Sequence, residues 1–110
     1  MNGKLKSYLG FAKKSGNLVT GTNTCSFNMK KQKVKLLLIA EDVSRNTLKK
    51  ILNEARSQKT PYRIHGMSDD LSHATGTSGR SVFGIMDENF ANVIIGEIDA
   101  GQKSEKEVIQ

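Results

Sequence analysis

A polar helix start followed by a lysine cluster offers the most specific chemistry in this sequence. The residues concerned are Gly21, Thr22, Asn23, Thr24, Phe27, Lys30, Lys31 and Lys33. Backbone N–H groups at a helix start, an amide, an aromatic ring and ammonium groups suit phosphates, base edges and base faces. This combination predicts a phosphate-rich partner. A capping residue, a core ring and solvated lysines form the alternative interpretation, which the residue types leave open.

Helical spacing sorts these side chains onto faces. Residues three and four positions apart lie on one face of a helix. The face predicted to meet a partner consists of Asn23, Phe27, Lys30 and Lys31. Cys25 and Met29 fall elsewhere on the same helix, which indicates that they belong to the core.

A second segment, Thr75–Arg80 with the sequence TGTSGR, is rich in glycine and hydroxyl groups. Glycine lets a backbone approach an anion closely, and Arg80 can make bidentate contacts to phosphate or guanine. The segment lacks the G-x-x-x-x-G-K-[ST] pattern, so nucleotide hydrolysis is not predicted. An ordinary flexible turn is the alternative.

Catalytic and metal-binding patterns are weak. The single cysteine, Cys25, and the two histidines, His65 and His73, form no Cys/His cluster with zinc-ligand spacing. A nucleophilic Cys–His pair would require a spatial proximity that spacing does not indicate. The pair Glu41-Asp42 is expected to cap the turn after a strand, although an acid pair is the other possibility. We therefore predict no catalytic residue, no metal and no cofactor.

Charge is distributed unevenly along the 110 residues. Seventeen Lys and Arg against eleven Asp and Glu give a net charge of +6, which favours a polyanionic partner. No acidic residue precedes Glu41, whereas the lysines before it are Lys4, Lys6, Lys13, Lys14, Lys30, Lys31, Lys33 and Lys35.

Hydropathy bears on the compartment. The longest apolar run, Leu36–Ala40, is far shorter than the roughly 20 residues of a membrane span. No apolar stretch of signal-peptide length follows Met1. A cytoplasmic protein without a membrane partner is expected.

Helices and strands alternate along the chain, which predicts an α/β fold, a three-layer α/β/α sandwich around a mixed sheet of about four strands. The predicted elements are a helix through Leu5, Leu9 and Ala12, strand Leu18–Thr20, a helix capped by Thr22 or Asn23 and ending near Lys31, strand Val34–Ala40, a helix capped by Ser44, strand Tyr62–His65, a short helix from Ser68 to Gly76, strand Ser81–Met86 and helix Asp87–Ile98. The predicted core includes Leu36, Leu38, Leu48, Ile51, Leu52, Val82 and Ile85. Residues 1–100 are expected to form one domain, and residues 101–110 a polar flexible tail.

Four segments resemble, in order and spacing, the kink-turn-binding ribosomal protein family (L-seven-Ae and L-thirty-e), and most of all its small bacterial YlxQ-like branch. The segments are LGFAKKSGNLVTG, KLLLIAEDVSRNTLKKI, PYRIHGMSDDLSHATG and RSVFGIMDENFANVII, and the resemblance extends over roughly Leu5 to Ile95. It implies an α/β/α fold that binds bent RNA and has no catalytic activity.

The resemblance also implies where RNA is contacted. In the family, the glycine-led start of the second helix enters a widened groove beside tandem sheared G·A pairs, with the signature G-x-N-E-x-x-K. Gly21, Thr22 and Asn23 match this signature, whereas Thr24 replaces its acid and Phe27 replaces its lysine. Two base-edge contacts are thereby lost, which implies a weakened or altered base-reading helix.

Further contacts implied by the resemblance lie in the loop before the last strand and after the central strand. Their positions are Thr77, Ser78, Gly79 and Arg80 in the loop, with Ser44 and Arg45 after the strand. The sequence thus predicts a monomeric, non-enzymatic RNA-binding protein, ribosomal or ribosome-associated. Two alternatives stay open, namely a protein-interaction module with decayed RNA specificity and a detached substrate-recognition domain of an RNA-modifying enzyme.

Overall fold

Five helices and four strands alternate in the computed structural model, which describes the backbone of residues 1–109 and the side chains of residues 1–101. The elements are α1 Gly3–Lys14, β1 Leu18–Thr20, α2 Thr22–Lys30, β2 Leu36–Ile39, α3 Arg45–Ser57, β3 Tyr62–Ile64, α4 Ser68–Ala74, β4 Val82–Ile85 and α5 Glu88–Ile109. Asn2 is the N-cap of α1, and its side chain accepts a hydrogen bond from the N–H of Leu5.

The four strands form one mixed sheet in the order β1-β4-β2-β3. Strands β2 and β3 run parallel, with Leu37 opposite Tyr62, whereas β4 is antiparallel to both β2 and β1. Consequently β1, β2 and β3 all end at the edge of the sheet where β4 begins. The segments that follow the first three strands and the segment that precedes β4 are brought together at this edge.

Helices cover both faces of the sheet, which confirms the three-layer α/β/α prediction. Leu36 and Leu38 of β2 face the layer that contains α1, α4 and α5. Leu37 and Ile39, which alternate with them, face α2 and α3. A strand covered on two sides must be apolar at every position, and all four residues of β2 are fully buried.

The predicted core is correct except at two positions. Leu36, Leu38, Ile51, Val82 and Ile85 are buried, as expected. The two leucines of α3 that were also assigned to the core, Leu48 and Leu52, are only partly buried and pack against its margin. Their helix contacts α2 along one side, so the flanks of its apolar stripe stay open to solvent.

Several element boundaries differ from the prediction. Strands β3 and β4 are shorter than Tyr62–His65 and Ser81–Met86, and α4 ends at Ala74 rather than at Gly76. Strand β2 is shorter than Val34–Ala40. Helix α5 starts one residue after Asp87 and continues beyond Ile98. The carboxylate of Asp87 accepts a hydrogen bond from the N–H of Phe90 at 2.9 Å. From residue 102 onward the expected flexible tail lies outside the residues whose side chains are described, so it stays a prediction. Over the described part of the chain, no helix combines the length and the hydropathy that crossing a bilayer requires.

Candidate nucleic-acid interface

A cleft of about 250 Å³ lies at the sheet edge where β1 and β2 end and β4 begins. Its walls are the first residues of α2 and α3 and the loop before β4. The lining residues that bear on a ligand are Gly21, Thr22, Ser44, Thr47, Gly79 and Arg80. No acidic side chain lines this cleft among the described residues.

Helix α2 enters the cleft without a side-chain cap. Its N-cap is Gly21, with φ +97° and ψ 149°, a conformation that glycine adopts readily because it has no Cβ. The sequence prediction that Thr22 or Asn23 caps this helix is therefore wrong. The first N–H groups of an α-helix have no partner within the helix, and here no described side chain accepts from them. These donors remain available to an anion.

The Arg80 guanidinium stands beside this helix start. A Cβ built on Gly21 would lie 3.3 Å from Nη1 of Arg80, so the guanidinium occupies the space next to the side that a Cβ would take. The Arg80 side chain is nevertheless exposed, and no described carboxylate pairs with it. A full positive charge and the positive end of a helix dipole thus converge on one place, which favours a bound anion.

Hydroxyl groups fix the loop that carries Arg80. Ser72 Oγ donates to the carbonyl of Arg80 and accepts from its N–H, both at 3.0 Å. Thr75 Oγ1 lies within 2.9 Å of both the Leu71 carbonyl and Thr77 Oγ1. The Thr75 and Thr77 hydroxyls therefore hold the loop against α4 rather than face an anion. Ser78 and Gly79, which follow, are exposed.

Helix α3 contributes the opposite wall of the cleft. Ser44 is its N-cap, as predicted: Ser44 Oγ accepts from the Thr47 N–H at 3.3 Å and hydrogen-bonds to Thr47 Oγ1 at 2.9 Å. Arg45 occupies the first helical position and is exposed. It follows Ser44 in the chain but is not among the residues that line the cleft.

The exposed face of α2 extends from the cleft along the helix. Phe27 is 58% exposed, while Cys25 and Met29 are completely buried, as their spacing predicted. The Lys31 ammonium lies 4.5 Å from the centre of the Phe27 ring, a cation–π arrangement. Asn23 is also exposed, one turn before the ring. An amide, a ring and a cation therefore follow one another along this surface.

Lys30 differs from its neighbour because it is paired. Its Nζ lies 3.5 Å from a carboxylate oxygen of Glu54 on α3, which also accepts a hydrogen bond from the Ser26 hydroxyl at 2.9 Å. The Ser26 hydrogen bond, together with the nearby Lys30 charge, lowers the pKa of Glu54 below its usual value. The charge of Lys30 is therefore partly balanced within the protein.

The structure thus divides the predicted site residues into two groups. Gly21, Thr22, Ser44, Gly79 and Arg80 line the cleft, and Asn23, Thr24, Arg45, Thr77 and Ser78 belong to the same helix starts and loop. Phe27, Lys30 and Lys31 lie towards the other end of α2, which is about 14 Å long at 1.5 Å per residue. Lys33 precedes β2, at the opposite edge of the sheet from the cleft.

Three of the residues considered for catalysis, Cys25, Glu41 and Asp42, have structural roles. Cys25 is buried, and burial raises its thiol pKa to about 12, so it is not a nucleophile at neutral pH. Glu41 accepts from the N–H of Gly66 at 2.7 Å, and Asp42 accepts from the hydroxyl and the N–H of Ser68. These two bonds lower the pKa of Asp42. The acids thus fix the β3–α4 connection rather than the turn after β2. The described residues contain no cluster of potential metal ligands.

Sequence reasoning missed two features of the site. Arg80 lies beside Gly21, and Thr47 lines the cleft. Hydrophobic spacing and helix-capping patterns report on neighbours within a few residues. No such signal connects an arginine before β4 with the glycine that ends β1. The pairing of β1 with β4, in which Thr20 lies opposite Phe83, brings them together.

Comparison with known proteins places this chain in a family. The model of the ribosomal protein L7Ae/L30e/S12e/Gadd45 family matches residues 3–95. A protein named RNA-binding protein YlxQ from Bacillus subtilis (strain 168) is 31% identical over 91 residues, which are 83% of this chain and 91% of that protein. Its namesake from Enterococcus faecium is 30% identical over 80% of this chain and 84% of its own length.

Solved structures show the same fold. A protein of unknown function from Bacillus halodurans C superposes with a TM-score of 0.85 at 28% identity, covering 89% of this chain and 99% of that one. The Giardia lamblia 15.5kD RNA binding protein gives a TM-score of 0.71 at 20% identity, covering 91% and 92% of the two chains. At that identity the second likeness shows the fold alone. The resemblance seen in the sequence is confirmed, and the chain belongs to the ribosomal protein L7Ae/L30e/S12e/Gadd45 family.

Proposed function

We propose that this chain is a non-enzymatic, monomeric RNA-binding protein, ribosomal or ribosome-associated, that recognises bent, kink-turn-like RNA. The cleft at the start of α2 and the exposed face of that helix form the binding surface. One observation carries the proposal: the exposed Arg80 guanidinium lies against Gly21 at a helix start that no described side chain caps.

A backbone phosphate suits the cleft. The first N–H groups of α2 can donate to its oxygens, and Arg80 can make a bidentate contact from the side. The exposed Arg45, next in the chain to the cleft residue Ser44, can hold a neighbouring phosphate. Such contacts position an RNA without reading its bases.

The face of α2 suits the bases or riboses next to that phosphate. An exposed aromatic ring stacks on any base, so Phe27 supplies affinity with little sequence preference. Thr24, in the first turn, cannot accept a hydrogen bond with the strength of a carboxylate. We therefore infer that the protein recognises the shape of a bent RNA more than its G·A pairs.

Two further facts support an RNA partner. Two relatives at about 30% identity carry the name RNA-binding protein YlxQ, and the alignments cover more than four-fifths of those proteins. The net charge of +6 and the lack of acidic residues before Glu41 favour a polyanion.

The proposal is tested by gel-shift titration of two RNAs. One contains a kink turn, and the other is the same duplex with its G·A pairs replaced by Watson–Crick pairs. The kink turn should bind more tightly, and Arg80→Ala should weaken its binding. Arg56→Ala is the matched control, since Arg56 is exposed in the last turn of α3 and does not line the cleft.

Three results would count against the proposal. Equal binding of the two RNAs would remove the preference for bent RNA. An equal effect of Arg80→Ala and Arg56→Ala would remove the cleft from the interface. No binding to either RNA at low salt would leave a protein-interaction role on the same fold as the better account.

A further inference from the structure

A second concave surface lies beside the first residues of the loop whose last residues line the cleft. This groove, of about 550 Å³, runs between the second half of α1 and the end of α4. The residues that shape it are Ser7, Gly10, Phe11, Lys13, Lys14 and His73. We call it the Phe11 groove.

An exposed aromatic ring dominates this groove. Phe11 is 59% exposed although α1 buries Leu9 and Ala12 completely on its other side. Next to it, a Cβ built on Gly10 would lie only 3.3 Å from the carbonyl oxygen of Ala74. The lack of a side chain at Gly10 lets α1 and α4 approach closely, and the ring of Phe11 stands above their junction.

The rim of the Phe11 groove is positive. Lys13 and Lys14 line it and are exposed, and no described carboxylate forms an ion pair with either. None of the described residues that line this groove is acidic. A ring beside two unpaired ammonium groups is the arrangement that binds single-stranded nucleic acid, with a base on the ring and phosphates at the cations.

The Phe11 groove and the cleft adjoin the same loop. Thr75 and Gly76 line the groove, while Gly79 and Arg80, in the same loop, line the cleft. Two residues, Thr77 and Ser78, lie between Gly76 and Gly79. The three steps from Gly76 to Gly79 span at most about 11 Å. An RNA strand that leaves the cleft can therefore reach the groove within a few nucleotides.

We propose that the Phe11 groove binds a single-stranded extension of the RNA held in the cleft. A base stacks on Phe11, and flanking phosphates contact Lys13 and Lys14. This inference rests on the proposed function and adds a second contact region to it. Stacking on a ring tolerates any base, so the groove selects for an unpaired strand rather than for a sequence.

The test compares a blunt kink-turn RNA with the same RNA carrying a short single-stranded uridine extension at one end or the other. An abasic extension of equal length is the third ligand. The variants are Phe11→Ala and Lys13→Ala/Lys14→Ala. Lys4→Ala/Lys6→Ala is the matched control, since it removes the same charge from exposed positions of α1 outside the groove.

One of the two uridine extensions should tighten binding more than the abasic one. Phe11→Ala should weaken binding of that RNA by about 5- to 150-fold, the range for one base stacked on an aromatic ring, and leave the blunt RNA unaffected. Lys13→Ala/Lys14→Ala should also weaken binding of the extended RNA. The control Lys4→Ala/Lys6→Ala should have a clearly smaller effect. Thermal unfolding should show all variants folded, because the altered side chains are exposed.

Other outcomes separate the two proposals. If the blunt RNA binds and the extensions add nothing, the inference is wrong while the proposed function holds. If the blunt RNA does not bind, the proposed function fails and the inference fails with it. If the extensions add nothing and a polyglutamate peptide loses affinity in Lys13→Ala/Lys14→Ala, the groove serves an acidic protein and the inference is wrong.

Discussion

Arg80 lies beside Gly21: Nη1 of the arginine is 3.3 Å from the point where a Cβ on the glycine would be. Gly21 is the N-cap of α2, and Arg80 belongs to the loop before β4. The pairing of β1 with β4 holds these two segments together. The sheet therefore positions both the Arg80 charge and the start of α2. Their arrangement depends on Gly21, which has no side chain.

Replacing Gly21 by alanine should destabilise the protein and disturb the cleft. The backbone at φ +97° and ψ 149° is one that side chains rarely tolerate, at a cost of about 1–3 kcal/mol. The added methyl group would also displace the Arg80 guanidinium. Urea unfolding and RNA titration measure the two effects.

Gly96→Ala is the control. Gly96 is exposed in α5, and no described atom outside its own helical surroundings lies within 4 Å of a Cβ built on it, so the stability of this variant should be unchanged or higher. Equal stability of the two variants would contradict the strain at Gly21.

Phe27→Ala should weaken RNA binding by about 1–3 kcal/mol, the contribution of a base stacked on an aromatic ring. The free energy of unfolding should change by about 0.5 kcal/mol or less, because the ring is 58% exposed. Phe27→Leu is the control that keeps an apolar side chain without a ring, and it should lose most of the affinity too. Full affinity in Phe27→Ala would show that the ring is not part of the interface.

The double change Thr24→Glu with Phe27→Lys restores the family signature at both departures. It supplies a carboxylate and an ammonium for base edges, so the preference for a kink turn over the duplex without G·A pairs should rise. The ratio of the two dissociation constants, compared with that of the unaltered protein, measures this preference. An unchanged ratio would mean that the first two turns of α2 do not read bases.

Binding should depend steeply on salt. If Lys30, Lys31, Lys33 and Arg80 neutralised four phosphates, log K would fall with log salt at a slope of about −3 to −4. The structure ranks these residues. Arg80→Ala and Lys31→Ala should each reduce the slope by about 1. Lys30→Ala should have less effect, because Lys30 is paired with Glu54, and Lys33→Ala less still, because it lies at the opposite sheet edge. Affinity that stays flat with salt would contradict phosphate-dominated binding.

Ile51 and Leu52 are neighbours on α3 that differ in burial. Replacing each by alanine should therefore lower the free energy of unfolding by different amounts. Ile51 is fully buried, so Ile51→Ala should cost about 2–5 kcal/mol. Leu52 is only partly buried, and Leu52→Ala should cost clearly less, about 1–2 kcal/mol. Urea unfolding monitored by circular dichroism gives both values. The reverse order would mean that the inner face of α3 is misassigned.

Cys25 should resist alkylation in the folded protein. Burial raises its pKa from 9.0 to about 12, so the folded thiol stays protonated between these values while the unfolded thiol ionises. The unfolded state then binds fewer protons, and stability should fall as pH rises from about 9 to 12. Iodoacetamide labelling followed by mass spectrometry should show slow modification at pH 8 until denaturant is added. A Cys25→Ala protein should lack this contribution to the alkaline loss of stability.

Local spacing in the sequence was sufficient to predict the helices and strands and to separate the buried from the exposed side of α2. The 3.6-residue period separates Cys25 and Met29 from Phe27, and the structure buries the first two and exposes the third. A strand that is apolar at every position also indicated a sheet covered on both faces, as β2 is. These features follow from residues a few positions apart, which helix and strand geometry relates directly.

Only the tertiary structure decided which residues meet. It set the strand order, left Leu48 and Leu52 at the margin of the core and placed Arg80 against Gly21. It also left the start of α2 without a side-chain cap, although threonine and asparagine stood there. Burial and contact depend on which elements pack side by side, and that choice is made by the whole sheet and its two helical layers rather than by any short segment.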